Sequence, residues 1–296
     1  MLVVQEDLVP KMANWFDIPS PYDRLEHARV VVIPAPYEGT VSWGKGAGQG
    51  PAAILAASPY LERYESVLRR EPYRVGIHVR APLKLPADPA GAIAAVETAV
   101  AETLASGRRP VVLGGEHTVT LGAVRACRDR YPDLSVLQLD AHADLREEYE
   151  GTPFSHACVM RRVAELPVPF VQAGLRAFSE EERDWLAARG QVPIHAREIV
   201  RSSAWIERCL APLSGHVYLT VDVDVLDPSE MPATGTPEPG GIGYHHLLDL
   251  VLGLAASGKE VVGFDLVELA PLPGLHHPQY LAASLVYVMI GAFFPA

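Results

Sequence analysis

The sequence predicts an α/β protein built on a mainly parallel β-sheet with helices on both faces. Two observations carry that expectation. Eight apolar runs alternate along the chain with longer segments of helical character, and such alternation places crossover helices on the faces of a parallel sheet. Most of the runs are apolar throughout instead of alternating with polar residues, as strands covered on both sides are.

The elements follow in order. Strands are predicted at 28–35 (ARVVVIPA) and 73–79 (YRVGIHV), before a helix over 89–107 (PAGAIAAVETAVAETLASG). A strand at 110–114 (PVVLG) passes through a Gly-Gly turn into a helix over 118–131, and the strand 134–140 (LSVLQLD) comes next. Strands at 169–174 (PFVQAG) and 192–195 (VPIH) flank a helix over 179–190, and strands at 217–222 (VYLTVD) and 260–266 (EVVGFDL) flank another over 244–258. Both of these helices end in glycine, a common stop. The stretch 227–243 (DPSEMPATGTPEPGGIG) is too rich in proline and glycine for either element and reads as a loop. The last 17 residues, 280–296, are mostly large and apolar. A bilayer span needs roughly 20 such residues, so this tract reads as a buried terminal helix.

At 296 residues the chain is long enough for a substantial core. With no repeat and no convincing linker it reads as one domain, 1–296, in which 1–27 form an N-terminal extension packed on the domain or on a neighbouring subunit. Its 25 basic and 36 acidic residues give a net charge of −11, which argues against nucleic acid and anionic membrane as partners. Cys127, Cys158 and Cys209 are odd in number and lack C-x-x-C spacing, so neither a disulfide framework nor a zinc knuckle is indicated. The amino terminus lacks the form of a secretory signal. A reducing, cytoplasmic setting is expected.

The chemistry gathers at strand ends. The run LQLDAHADLR (137–146) places Asp140, His142 and Asp144 at alternate positions, which share one face if the extended geometry continues. YLTVDVDVLDP (218–228) repeats the spacing with Asp222 and Asp224, followed by Asp227, and VVLGGEHTVTLG (111–122) sets His117 after a Gly-Gly turn. Glu268 follows the strand VVGFDL in the same way. All lie at the carboxyl edge of predicted strands, where open parallel sheets bind ligands. Two carboxylates about 4 Å apart repel by ~4 kcal/mol at an effective dielectric near 20, so four together call for a multiply charged cation. Two imidazoles and four carboxylates without a thiolate suit manganese or magnesium better than structural zinc, and six ligand residues exceed what one small ion takes. A two-metal centre follows.

The blocks GGEHTVTLG, DAHADLR, SHACVMRR, VDVDVLDPSEMPATGTPEPGG and GFDLVELAP resemble, in order and spacing, the signatures of the arginase/agmatinase (ureohydrolase) family, nearest to the agmatinases. The resemblance begins at PYEGTVSWGKGAGQGPAAI (36–54) and covers most of the chain. It implies a three-layer α-β-α, arginase-like fold around an eight-stranded parallel sheet, two Mn2+ per chain, and hydrolysis of guanidino compounds to urea and an amine. One manganese would be held by His117, Asp140, Asp144 and Asp222, the other by Asp140, His142, Asp222 and Asp224, with Asp140 and Asp222 bridging. His156 resembles the family's proton-shuttling histidine and Glu268 the carboxylate that orients the guanidinium, which makes both substrate-binding residues. Asp144 would relay a proton from the metal-bridging hydroxide. Homo-oligomers, trimers or hexamers, are implied as well.

Those residue types answer the chemistry. A guanidinium carbon is a poor electrophile and neutral water a poor nucleophile; a dimetal site lowers the pKa of bound water. Glu268 would hold the guanidinium in place, and His156 would protonate the departing amine. By itself a histidine ahead of a helical segment more often caps or packs, and only its motif neighbours single out His156. His245, His246, His276 and His277 come as adjacent pairs that share no face and read as surface or packing residues. The run REEYE (146–150) reads as a solvated loop face.

Substrate choice turns on departures from the arginase pattern. Arginases carry polar head-group contacts after DAHxD where this chain has Leu145 and Arg146, and an aspartate where it has Ala177. The expected substrate is a small cationic guanidino compound without a carboxylate: agmatine, giving putrescine, or an aminopropylagmatine, giving the corresponding polyamine. Glu147, Glu148, Glu150 and Glu180 to Glu182 are candidates to meet its distal amine. Arginase or guanidinobutyrase activity is the alternative. A dinuclear phosphoesterase would need a later G-N-H-[DE] motif that the chain lacks, and a noncatalytic polyamine-binding relative would not need His156 and Glu268 beside a full ligand set.

Overall fold

The computed structural model describes residues 15–296. The strands are β1 (Val30–Ala35), β2 (Ile77–Val79), β3 (Arg109–Gly114), β4 (Leu134–Leu139), β5 (Phe170–Leu175), β6 (Ile194–His195), β7 (His216–Asp222) and β8 (Glu260–Val267). All eight expected strands form, and every pairing is parallel. The first, second and sixth begin two to four residues later than expected. Residues Pro72–Val75 form a 3-10 turn, and Gly76, at φ 77°, sets off β2 in a conformation that glycine adopts without strain.

The helices are α1 (Gly50–Ala57), α2 (Pro89–Ala105), α3 (Thr120–Arg130), α4 (Val159–Val163), α5 (Glu180–Ala188), α6 (Ala196–Ile199), α7 (Trp205–Leu210), α8 (Tyr244–Ala256) and α9 (His277–Phe293). The five long ones, α2, α3, α5, α8 and α9, were expected. The other four escaped because they are short, between four and eight residues, and because α1 (GPAAILAA) is apolar all round and shows no periodic face.

Alternate residues of each strand feed two separate cores. Val30, Val32, Val111, Leu113, Leu137, Leu139, Leu219 and Val221 face one layer, with Ile54 of α1, Leu250 of α8 and Val286 of α9. Val31, Ile33, Val112, Val136 and Tyr218 face the other, with Ile93 and Val96 of α2, Val124 of α3 and Met160 of α4. This is the three-layer α-β-α arrangement. The tail is the buried helix α9, with eleven buried residues, and Phe16 from the described part of the N-terminal extension stacks on its Tyr287 at 4.4 Å between ring centroids. No helix of the described residues is long and apolar enough to cross a membrane. Cys127, Cys158 and Cys209 are buried and form no disulfide.

The strand order is β2-β1-β3-β8-β7-β4-β5-β6. After β3 the chain skips two places before laying down β4, and the gap is filled much later by β7 and β8. Such a switch in winding direction opens a crevice beyond the carboxyl edge. It also sets β3, β8, β7 and β4 side by side, the four strands that precede the candidate ligands.

Candidate active site

Each of the four strands delivers its side chains through a local break in regular geometry. After β3 the Gly114-Gly115 turn passes so close to the loop following β1 that a Cβ on Gly115 would lie 1.9 Å from the Tyr37 carbonyl oxygen. His117 then opens the 3-10 turn that leads into α3. β7 ends at Asp222, whose Oδ1 accepts the Asp224 N–H at 2.9 Å and so turns both carboxylates inward. After β8, Glu268 sits at φ 66°. Its N–H donates to Gly115 O at 2.7 Å, and its Oε1 accepts the His117 N–H at 2.7 Å.

The extended geometry expected to aim Asp140, His142 and Asp144 does not persist. β4 stops at Leu139, the His142 N–H donates back to Asp140 Oδ1 at 2.6 Å, and Asp144 adopts φ 53°. The three side chains converge through a tight turn instead of a shared strand face. Left-handed backbone at Asp144 and Glu268 costs on the order of 1–3 kcal/mol each, which the surrounding hydrogen bonds must sustain.

Five of the six candidate ligands meet in two sets that share Asp140; Asp222, expected to bridge as well, belongs to neither set and lies beside the first. One comprises His117, Asp140 and Asp144, the other Asp140, His142 and Asp224, with the donor atoms of each set within 4.8 Å of one another. His117 Nδ1 lies 3.0 Å from Asp144 Oδ2, 3.1 Å from Asp140 Oδ2 and 3.5 Å from Asp222 Oδ2. His142 Nδ1 lies 2.9 Å from Asp224 Oδ2.

The tautomer of His117 can be read from its far nitrogen. Nε2 is 2.9 Å from Thr220 Oγ1, and that hydroxyl gives its only proton to Asp265 Oδ1 at 2.6 Å. Thr220 therefore accepts, Nε2 carries a proton, and in the neutral ring Nδ1 turns a lone pair toward three carboxylates. Nδ1 is buried without a hydrogen bond among the described residues. A lone pair aimed at anions is explained by a cation between them, so the donor set fits a pair of hard divalent ions.

The titration pattern of the carboxylate cluster agrees. Burial and the neighbouring Asp140 push Asp144 up to about 7. Burial, then Asp224 and Asp140, carry Asp222 well above the carboxylate range. Burial alone would lower His117, but Asp140 and Asp144 outweigh it and raise the ring. Without cations the cluster holds protons in their place.

Above this floor lies a cavity of ≈ 360 Å³, bordered by His156 and Glu268 and, farther out, by Arg146, Tyr149, Ala177, Glu182, Glu238 and Trp43. Burial lowers the His156 imidazole below its ordinary value. Burial, with Glu116 next, raises Glu268 well above the carboxylate range. Of the acids expected to meet a distal amine, Glu182 alone borders the cavity. Its oxygens already accept N–H groups from Leu145 (3.0 Å) and Ser179 (2.7 Å). Glu147 is tied to Arg161 and Arg162, and Glu180 to Arg183. Leu145 points into the core at 1% exposure, so among the three departures from the arginase pattern only Arg146 and Ala177 reach the cavity. His245, His276 and His277 are exposed, and His246 accepts the Gly243 N–H ahead of α8.

The loop 227–243, which directly follows Asp222 and Asp224 and reads from the sequence as a candidate wall of the site, does border the cavity, but several individual groups were not anticipated. Glu238, in the loop after β7, brings a carboxylate 3.9 Å from His142 Nε2. The Arg176 guanidinium fastens that loop through the carbonyls of Asp224 (2.6 Å), Glu238 (2.9 Å) and Pro239 (3.2 Å). Asp265 lies in mid-strand, fully buried, and also accepts from Thr120 and Tyr218. An acid in an apolar strand was the one available signal for it, since such a group must have partners.

The model of the arginase family matches residues 28–291. The chain is 41% identical over 275 residues to an N(1)-aminopropylagmatine ureohydrolase of Synechocystis sp., covering 89% of each chain. It is 38% identical over 252 residues to an agmatinase of Bacillus anthracis, covering 84% of this chain and 86% of that one. Its fold superposes on the agmatine ureohydrolase of Thermoplasma volcanium with a TM-score of 0.86 at 32% identity, covering 96% and 95% of the two chains. The chain belongs to the arginase family.

Proposed function

We propose that the chain is a ureohydrolase that cleaves an amine-terminated guanidino compound, agmatine or its aminopropyl derivative, to urea and putrescine or the corresponding polyamine. The observation that carries this is the pair of donor sets sharing Asp140 beneath a cavity bordered by His156 and Glu268. The names of relatives near 40% identity support the substrate class. His117, Asp140, Asp144 and Asp222 would hold one divalent ion and Asp140, His142, Asp222 and Asp224 the other, with manganese the ion expected. Bound there, the pair would supply Lewis acidity and lower the pKa of water.

The remaining work falls to the protein. Glu268 pairs with the guanidinium N–H groups and sets the carbon over the floor of the cavity, a positioning effect worth several orders of magnitude when the reacting atoms are aligned. His156 gives a proton to the departing amine nitrogen as the C–N bond breaks, turning a strongly basic leaving group into a neutral amine. Asp144 takes up the proton released from the attacking water. Glu238 adds negative potential beside His142, favourable to a cation entering the cavity. Arg146 favours a second reading, because a guanidinium in the wall would suit a carboxylate-bearing substrate such as guanidinobutyrate. Trimers or hexamers of this chain are the expected assembly.

Urea release from agmatine, aminopropylagmatine, guanidinobutyrate and arginine, each with manganese, tests the proposal. Turnover of the two amine-terminated compounds is expected. Preference for guanidinobutyrate would install the Arg146 reading, and no urea from any of the four would remove both.

A further inference from the structure

We propose that Thr40, held by Glu116, is a positioning residue that fixes the imidazole of His156 in the tautomer and orientation proton delivery requires. This rests on the reading of His156 as the proton donor to the leaving amine. Thr40 lies in the segment between β1 and α1, for which the sequence offered a family resemblance and no role.

The geometry starts with Glu116, a carboxylate with 0% exposure. Its Oε2 accepts the N–H groups of Gly39 (2.9 Å) and Thr40 (2.7 Å), and its Oε1 accepts the hydroxyls of Thr40 (2.6 Å) and Thr118 (2.6 Å). Four donors converge on one buried acid, and such charge-assisted bonds are short and strong. The loop is closed from its other side by Glu38, which accepts the N–H groups of Gly46 and Gly48, each at 2.9 Å. Thr40 therefore has little freedom to move.

The single proton of its hydroxyl is committed to Glu116. Toward any third group Thr40 Oγ1 can only accept, and two groups of His156 face it: the backbone N–H at 3.2 Å and ring Nδ1 at 3.3 Å. Ring contact with Thr40 thus requires a proton on Nδ1. Ser155 Oγ is 3.2 Å from the same nitrogen, and it already accepts the Ala157 N–H as the cap of the 3-10 turn. Nε2 has no protein hydrogen bond among the described residues. Tyr149 meets the ring edge-on, 5.9 Å between centroids, and limits its tilt.

The consequence is directional. The neutral Nδ1–H ring takes up a proton from solvent on Nε2; that proton passes to the amine nitrogen as the C–N bond breaks, and the ring returns to the neutral Nδ1–H tautomer that Thr40 already accommodates. No reorientation of the ring accompanies the transfer. An unanchored ring would spend part of its time with the wrong nitrogen toward the substrate, and proton transfer in the transition state is sensitive to that geometry.

Thr40→Val keeps the shape and removes the hydroxyl, while Thr40→Ser keeps the hydroxyl. Expected for Thr40→Val, with agmatine and manganese, is a kcat lower by about 10- to 100-fold, with KM within about twofold and two metal ions per chain retained. Thr40→Ser is expected to recover most of that loss. An unchanged kcat in Thr40→Val, an equal loss in Thr40→Ser, or a loss that follows metal content would overturn the assignment. His156→Asn separates the two levels. If it leaves kcat intact, the reading of His156 fails and this inference with it; if it lowers kcat while Thr40→Val does not, only the inference fails.

Discussion

Chelation should expose how much of the fold depends on the candidate metal pair. Asp140, Asp144, Asp222, Asp224 and Glu268 are each at most 9% exposed, and they surround two imidazoles. If each ion is present at about a hundredfold over its dissociation constant and ignores the unfolded chain, it contributes ~2.7 kcal/mol, so the pair contributes roughly 5 kcal/mol. Unfolding entropy near 2.1 cal/mol/K per residue gives roughly 0.6 kcal/mol/K for a chain of 296 residues. The midpoint of thermal unfolding should therefore fall by about 8 °C. The loss should not be much larger, because the bare cluster relieves its repulsion by taking up protons. Asp144, raised to about 7 by burial and by Asp140, must give its proton up again on reloading. Calorimetry with and without chelator, metal counting by plasma mass spectrometry, and proton release on adding manganese measure each part. One tightly bound zinc per chain would refute the reasoning, as would an unshifted midpoint with full activity after exhaustive chelation.

Three further outcomes are expected. His156→Asn should keep both metals and lower kcat by about 100-fold or more, with a smaller effect on KM, whereas Asp224→Asn should lose metal from one site; equal metal loss in the two would show that His156 belongs to the ligand set. Arg176→Met should lower stability by about 3 kcal/mol, because the carbonyls of Asp224, Glu238 and Pro239 lose a shared donor, and Arg176→Lys should rescue little, since an ammonium cannot span the fan of acceptors; chemical denaturation decides both. Agmatine-like substrates should exceed arginine by about a hundredfold or more in kcat/KM, on the order of 3 kcal/mol in transition-state binding, and a ratio near one would mean that Arg146 serves the arginine carboxylate.

The parts legible in the sequence were those written locally. Continuous apolar runs gave all eight strands because a strand buried on both faces is apolar at most positions of either side, and admits a polar group such as Thr220 or Asp265 only where a partner meets it. D-x-H-x-D and D-x-D marked the candidate ligands because paired carboxylates at the end of an apolar run are hard to explain otherwise. Even here the mechanism differed from the expectation. The alternation of Asp140, His142 and Asp144 suggested a shared strand face, but the chain leaves the strand at Leu139 and gathers them through a turn with Asp144 at φ 53°. Their order in the sequence survived; the geometry that makes it work did not.

What was illegible is the layer behind the ligands, where the physical reason is distance along the chain. His117, Thr220 and Asp265 form one relay, although the histidine and threonine are 103 residues apart and the threonine and aspartate 45. His156, Thr40 and Glu116 form a second, across separations of 116 and 76 residues. Both have the same logic: a buried carboxylate takes the threonine's only proton, which leaves the hydroxyl oxygen as an acceptor and fixes which imidazole nitrogen is protonated. In the first the nitrogen left bare faces the carboxylates, as a metal ligand must. In the second the nitrogen left outside the relay is the one available to a substrate. Under the proposed roles one device would set two histidines to different tasks, and the difference lies in which ring nitrogen the threonine meets: Nε2 in His117, Nδ1 in His156. A threonine within an apolar strand, or in a glycine-bordered loop, carries no mark of that choice until the sheet brings its carboxylate and its histidine to either side of it.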